Sequence, residues 1–110
     1  MGVDAQLYKG ILEGCVLKLL ETEYMYSGDI VKKMRECGFP FSEGTLCPML
    51  ARLDREGLFC SMKKSSSNSP PRKYYKLSEK GLERLRSFTE GWQETIACVK
   101  KVYEEDQNAE

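Results

Sequence analysis

The 110 residues of this chain include no histidine. That removes the commonest general base and the commonest metal ligand, and with them zinc sites and histidine-dependent triads. Gly10, Gly14 and Gly28 are too scattered to form a phosphate-cradling loop. No cofactor is expected, and the residues do not read as an enzyme. Cys15, Cys37, Cys47, Cys60 and Cys98 are odd in number and widely spaced, with no C-x-x-C pair. This speaks against a disulfide framework and for a reducing, cytoplasmic setting. No apolar run approaches the ~18 residues of a membrane span, and Met1-Gly2-Val3-Asp4 lacks the basic-then-apolar layout of a signal peptide. Net charge is missing too, since 17 basic residues balance 17 acidic ones, so an anionic partner has to be met by a local cluster. With 41% apolar and 31% charged residues the composition suits one soluble globular domain, which at this length buries roughly two-thirds of its unfolded surface.

The most informative segment runs from Phe41 to Leu58 and reads as one punctuated helix. Ser42 has the hydroxyl of an N-cap, and Gly57 stands where a helix closes in the left-handed conformation. Leu46, Leu50 and Leu53, with Met49 at the edge, form one apolar stripe. Gly44, Pro48, Ala51, Arg52 and Arg55 fall on the other side, giving small residues for close approach and arginines for anions. A helix entering a DNA groove needs such a face. Alone, the segment fits equally an amphipathic helix with a solvated back.

The stretch C-terminal to Gly57 weighs toward DNA. Leu58, Cys60 and Met62 alternate with Phe59, Ser61 and Lys63, a half-buried strand period that Tyr75 and Leu77 repeat. The polar stretch Ser65–Pro71 between them is expected to be a long, flexible loop. From Leu58 to Leu77 there is no Asp or Glu, while Lys63, Lys64, Arg72, Lys73 and Lys76 are cationic. A helix followed by a basic hairpin is the winged form of helix-turn-helix, in which phosphate contacts supply most of the affinity. The base-reading candidates are Ser42, Thr45 and Arg52, with Cys47 and Pro48 on the same helix. The wing candidates are Lys63, Lys64, Arg72 and Lys73.

Two segments resemble a known family. Gly44-Thr45-Leu46-Cys47-Pro48-Met49-Leu50-Ala51-Arg52-Leu53 through Gly57-Leu58 is similar to the signature helix of PadR-type transcriptional regulators, and Arg72-Lys73-Tyr74-Tyr75-Lys76-Leu77-Ser78-Glu79-Lys80-Gly81 to their second wing strand and last helix. The likeness extends from about Leu7 to Tyr103. Cys47 replaces a usual tyrosine, and Ser27-Gly28 a usual Gly-Tyr. The resemblance implies a mainly α fold with a β-hairpin wing: a winged helix-turn-helix over residues 1–77 and a C-terminal dimerisation helix over 78–110. It also implies a homodimer made through that last helix with help from the first.

The remaining elements agree. Gln6 to Leu20 reads as a helix with Leu12, Cys15, Val16, Leu19 and Leu20 on one face and Leu7, Tyr8 and Ile11 around the side, more apolar girdle than one core requires. Ser27 is expected to cap a second helix bearing Ile30, Val31 and Met34, closed by Gly38 and Pro40. Ser78 is expected to cap the last. There Leu82, Leu85, Thr89, Trp92, Ile96, Val99 and Tyr103 step by 3 and 4 in turn, a heptad seam broken only by Thr89. A small winged domain cannot cover most of it, so Leu85, Trp92, Ile96, Val99 and Tyr103 are expected at a homodimer interface; the alternative is that the seam lies on the chain's own first helix. A two-fold axis would set two recognition helices ~34 Å apart, matching an inverted repeat in double-stranded operator DNA.

Trp92 is the sole tryptophan and sits mid-seam. It reads either as an interface anchor or as one wall of a slot for a flat aromatic effector, with Leu7, Tyr8, Ile11, Cys15 and Phe88 as further walls. Drug-sensing PadR-type regulators are similar in having a tryptophan of this helix line a central dimer pore. The expected function is a ligand-relieved repressor. Two alternatives stand beside it: a thiol-sensing repressor through Cys47, and a winged helix whose hairpin meets an acidic protein.

Overall fold

Six elements follow one another in the computed structural model: α1 (Ala5–Leu19), α2 (Ser27–Glu36), α3 (Glu43–Arg55), β1 (Phe59–Ser66), β2 (Ser69–Leu77) and α4 (Glu79–Gln107). The backbone is described for residues 5–66 and 68–107, and side chains for 10–65 and 68–105. The architecture is mainly helical, with one two-stranded antiparallel hairpin and a long last helix, as the sequence predicts.

Helices α2 and α3 each end in the same way. Gly38 has φ 103° and Gly57 φ 82°, both in the left-handed region. The amide of Phe39 donates to the carbonyl of Met34, and that of Leu58 to Leu53, at 3.0 and 3.1 Å. Each glycine thus closes a Schellman motif, satisfying carbonyls that the helix end leaves open. The hydrophobic residue after each glycine then turns inward. At α3's start Ser42 accepts the amide of Thr45 at 3.3 Å, the cap read from the sequence. At α2 the expected cap is corrected. Tyr26 holds the N-cap position with no side-chain bond, and Ser27 is the first helical residue, its hydroxyl 3.5 Å from Glu43 Oε1.

The core is shared by all elements: Leu12, Val16, Leu17 and Leu20 of α1, Ile30 and Met34 of α2, Leu46, Leu50 and Leu53 of α3, then Leu58, Phe59, Leu77 and Leu85. Each such side chain contributes roughly 1.5–3 kcal/mol on burial. The strand phase differs from the sequence expectation. Leu58 is buried as the closing residue of α3, and the strand proper begins with Phe59 turned inward, leaving Cys60 and Met62 exposed. The loop is shorter as well, because β1 runs to Ser66 and β2 resumes at Ser69, placing Pro70 and Pro71 in strand. A register shift falls between Lys64 and Ser66. Met25 forms a short bridge with Tyr75 on the other edge of β2.

Ser78 caps α4, accepting the amide of Gly81 at 3.1 Å while donating to the carbonyl of Gly57 at 2.7 Å. A Cβ on Gly81 would lie 2.2 Å from the carbonyl oxygen of Leu58, so only glycine allows α4 to start this close to the α3–β1 corner. From there α4 continues for 29 residues, ~43 Å at 1.5 Å per residue, and the molecule is 67 Å long. Trp92, Val99, Val102 and Tyr103 remain 41–69% exposed along it.

Candidate nucleic-acid interface

Helix α3 buries Leu46, Leu50 and Leu53 and turns Ser42, Gly44, Thr45, Cys47, Pro48, Ala51, Arg52 and Arg55 to solvent. The hydroxyls of Ser42 and Thr45 lie 3.3 Å apart, so the groups at the helix start hold one another. Small side chains then follow for two turns, leaving Arg55 as the long cation on the wing side. Arg55 has no hydrogen-bond or ion-pair partner among the described residues. A cleft of ≈ 450 Å³ separates α3 from the wing, with Cys47, Ala51 and Arg55 on the helix side and Tyr26, Arg72 and Lys73 opposite.

The wing brings its cations into register. Lys63 stands directly across from Lys73, and Lys64 from Arg72. Like charges so placed destabilise a strand pair. Three of the four are partly compensated. Lys73 Nζ donates to Asp54 Oδ2 at 3.1 Å, and this carboxylate raises the lysine pKa above its ordinary value. Arg72 sits 4.5 Å above the Tyr26 ring and Lys64 5.8 Å above Tyr74, cation–π geometries. Lys63 is exposed with no partner among the described residues.

Arg52 is paired with acidic side chains. Its Nη2 donates to Glu13 Oε2 at 2.6 Å and its Nη1 to Glu56 Oε2 at 3.1 Å. Arg84 joins the same two carboxylates, 2.8 Å from Glu56 and 3.6 Å from Glu13. The hydrogen bond to Glu13 raises the pKa of Arg52, and Arg84 lowers that of Glu56. The guanidinium is therefore held by Glu13 of α1 and by Glu56, while its side chain remains 44% exposed. Of this ring only the Arg52–Glu56 pair was legible, as an i,i+4 spacing. Glu13 and Arg84 lie 39 and 32 residues from Arg52 and carry no sequence signal.

A second site surrounds Trp92, which is 41% exposed between two apolar clefts. One, ≈ 450 Å³, is lined by Gly10, Ile11, Phe88, Gly91 and Ile96; the other, ≈ 560 Å³, by Gly14, Cys15, Phe39, Leu85 and Phe88. Phe88 divides them, its ring so close to α1 that a Cβ on Gly14 would lie 2.1 Å from it. Burial pushes the Cys15 thiol pKa up. Ile11, Cys15, Phe88 and Trp92 are thus brought together as expected, while the side chains of Leu7 and Tyr8 fall outside the described residues. Leu85 is a correction. It is 5% exposed in its own core and has little surface left for a second chain.

Residues 16–87 match the family described as transcriptional regulator PadR-like. This chain belongs to the PadR-like family. A PadR-like regulator from Bacillus cereus is 37% identical, over 89% of this chain and 96% of that one, with a TM-score of 0.80. A PadR family regulator from Eggerthella lenta is 33% identical over 90% and 87%, with a TM-score of 0.81. Bacillus subtilis PadR, solved in complex with operator DNA, shares the fold at 21% identity and a TM-score of 0.66, over 72% of this chain and 47% of that one. No curated protein matches. As a PadR-like protein the chain is a transcriptional regulator and not an enzyme. No helix among the described residues is long and apolar enough to cross a membrane.

Proposed function

We propose that this PadR-like protein is a cytoplasmic homodimeric repressor that binds double-stranded operator DNA and is released by a flat aromatic ligand held beside Trp92. The observation that carries the DNA reading is the hairpin register. Two like-charged cross-strand pairs, Lys63–Lys73 and Lys64–Arg72, are an unfavourable arrangement for an isolated hairpin. A polyanion laid along them removes the repulsion and releases counterions on binding. Beside them, Ser42, Thr45, Cys47 and Pro48 present the low-relief face that enters a groove. Arg55 supplies the helix's free cation in place of Arg52. The Bacillus subtilis relative was solved with operator DNA, and the same use of the fold is assigned here to this chain.

Residues 1–77 form the DNA-binding part and 78–110 the dimerisation part. The exposed series Trp92, Val99 and Tyr103, with half-buried Ile96, is the surface a second copy covers. The clefts on either side of Trp92 are apolar and open, which suits a planar ring stacked on the indole. A ligand there relieves repression only by favouring one dimer spacing over another. The test of the DNA reading is fluorescence anisotropy with a labelled random-sequence duplex over a salt series. Binding that weakens linearly in log–log form as salt rises supports it, and an acidic-protein partner would leave no such binding.

A further inference from the structure

Arg52 shares its face of α3 with Thr45 and Pro48, at spacings of seven and four residues, and the three line one cleft of ≈ 460 Å³ together with Glu13 and Met49. This cleft flanks the recognition helix on the side away from the wing. A DNA backbone passing there would approach an exposed arginine, but that arginine is held between two carboxylates. The four groups form a closed ring of alternating charge: Arg52 to Glu13 at 2.6 Å, Glu13 to Arg84 at 3.6 Å, Arg84 to Glu56 at 2.8 Å, Glu56 to Arg52 at 3.1 Å. It spans α1, the end of α3 and α4. Two positive and two negative charges cancel, so the ring itself adds no net charge to this flank, and Arg55 is the one unpaired cation among the residues lining its cleft.

The side chains of the ring are 24–44% exposed. Ion pairs this open to solvent contribute little to stability, so holding the fold together is a weak account of why two glutamates are spent on one flank. We propose that Glu13 and Glu56 are specificity-determining residues that withhold Arg52 from DNA phosphates, leaving backbone contact to Arg55 and the wing cations. Specificity is a difference of affinities, and suppressing a sequence-independent contact raises it as surely as adding a base contact. Glu13 acts through Arg52 and is a positioning residue. The inference rests on the DNA-binding reading.

The test is a salt series of anisotropy titrations with a random-sequence 30-base-pair duplex, on wild type, Glu13→Gln, Arg52→Gln and the double variant. Removing the Glu13 charge leaves two arginines sharing Glu56. Glu13→Gln is expected to bind random duplex severalfold more tightly, with a log–log salt slope steeper by ~0.9, the signature of one added phosphate contact. Arg52→Gln alone should leave the slope near wild type, and the double variant should lose the gain. A slope unchanged by Glu13→Gln overturns the proposal, as does a slope already flattened by Arg52→Gln alone. Should Glu13→Gln fold poorly, Glu56→Gln frees the same guanidinium from its other partner and is held to the same expected slope. Loss of salt-dependent binding by wild type itself would refute the DNA reading as well. Normal wild-type binding with no response to either glutamine variant refutes this inference alone.

Discussion

Gly81 sets the position of the longest helix by lacking a side chain. A Cβ there would meet the Leu58 carbonyl oxygen at 2.2 Å, a backbone atom with little room to yield, and the Leu77 side chain at 3.1 Å. Gly81→Ala is expected to destabilise the fold by roughly 1–3 kcal/mol, the range for overpacking. A urea titration checks it, with a lower midpoint at unchanged m-value the predicted result. Arg55 and Arg52 are three residues apart and look equivalent in the sequence, yet only Arg52 is held by acidic partners. Arg55→Ala should therefore flatten the salt dependence of DNA binding by ~0.9, and Arg52→Ala should change it little. Anisotropy measured at several salt concentrations separates the two. The Ser42 cap and the inward leucines were legible because they depend on neighbours within a turn. The capture of Arg52 by Glu13 was not, because no local pattern encodes a contact between α1 and α3.

At the scale of the element, the hairpin shows where alternation misleads. Leu58 is apolar and buried, but it belongs to the Schellman closure of α3, its amide bound to Leu53. Counting the strand from Leu58 puts Cys60 and Met62 inside; counting from Phe59, opposite Leu77, puts them outside, as found. The Ser/Pro composition of residues 65–71 points to a loop, but prolines are tolerated where a strand has a free edge. The basic character of the wing survives both corrections. Neutralising Lys63, Lys64, Arg72 and Lys73 together is expected to weaken binding to all duplexes about equally and flatten the salt slope by ~0.9 for each phosphate no longer neutralised. A changed sequence preference at constant slope would show that the wing reads bases. The ring on α1, α3 and α4 has its own pH signature. Arg84 holds the Glu56 pKa below the ordinary 4.5, so that contribution is present above about pH 4.5 and fades as pH falls through the lowered value. Thermal melts between about pH 5 and pH 3 should show wild type losing more stability than Arg84→Gln, and parallel losses would contradict the ring's part in it.

For the whole molecule, the heptad spacing of α4 implies a helix too long for its own domain, and the 67 Å extent with Trp92, Val99 and Tyr103 exposed agrees. What the spacing hides is that Leu85 faces inward, since a seam repeats regardless of which chain covers each turn. The clefts beside Trp92 were legible only as a set of residues, because their volume depends on how Phe88 seats against Gly14. Trp92→Phe keeps most of the apolar contact and shrinks the stacking face. It should preserve dimerisation and DNA affinity while sharply weakening planar aromatic ligands, which calorimetry on both proteins would show. Equal affinity in the two would make Trp92 a packing residue. Two copies of α3, set by a two-fold axis, are proposed to read duplex DNA. The most direct measurement of this is selection of bound sequences from a pool of random duplexes by the wild-type protein. An enriched inverted repeat with half-site centres about 10 base pairs, ~34 Å, apart is the expected result. Enrichment of a lone half-site, or no enrichment above background, would contradict it.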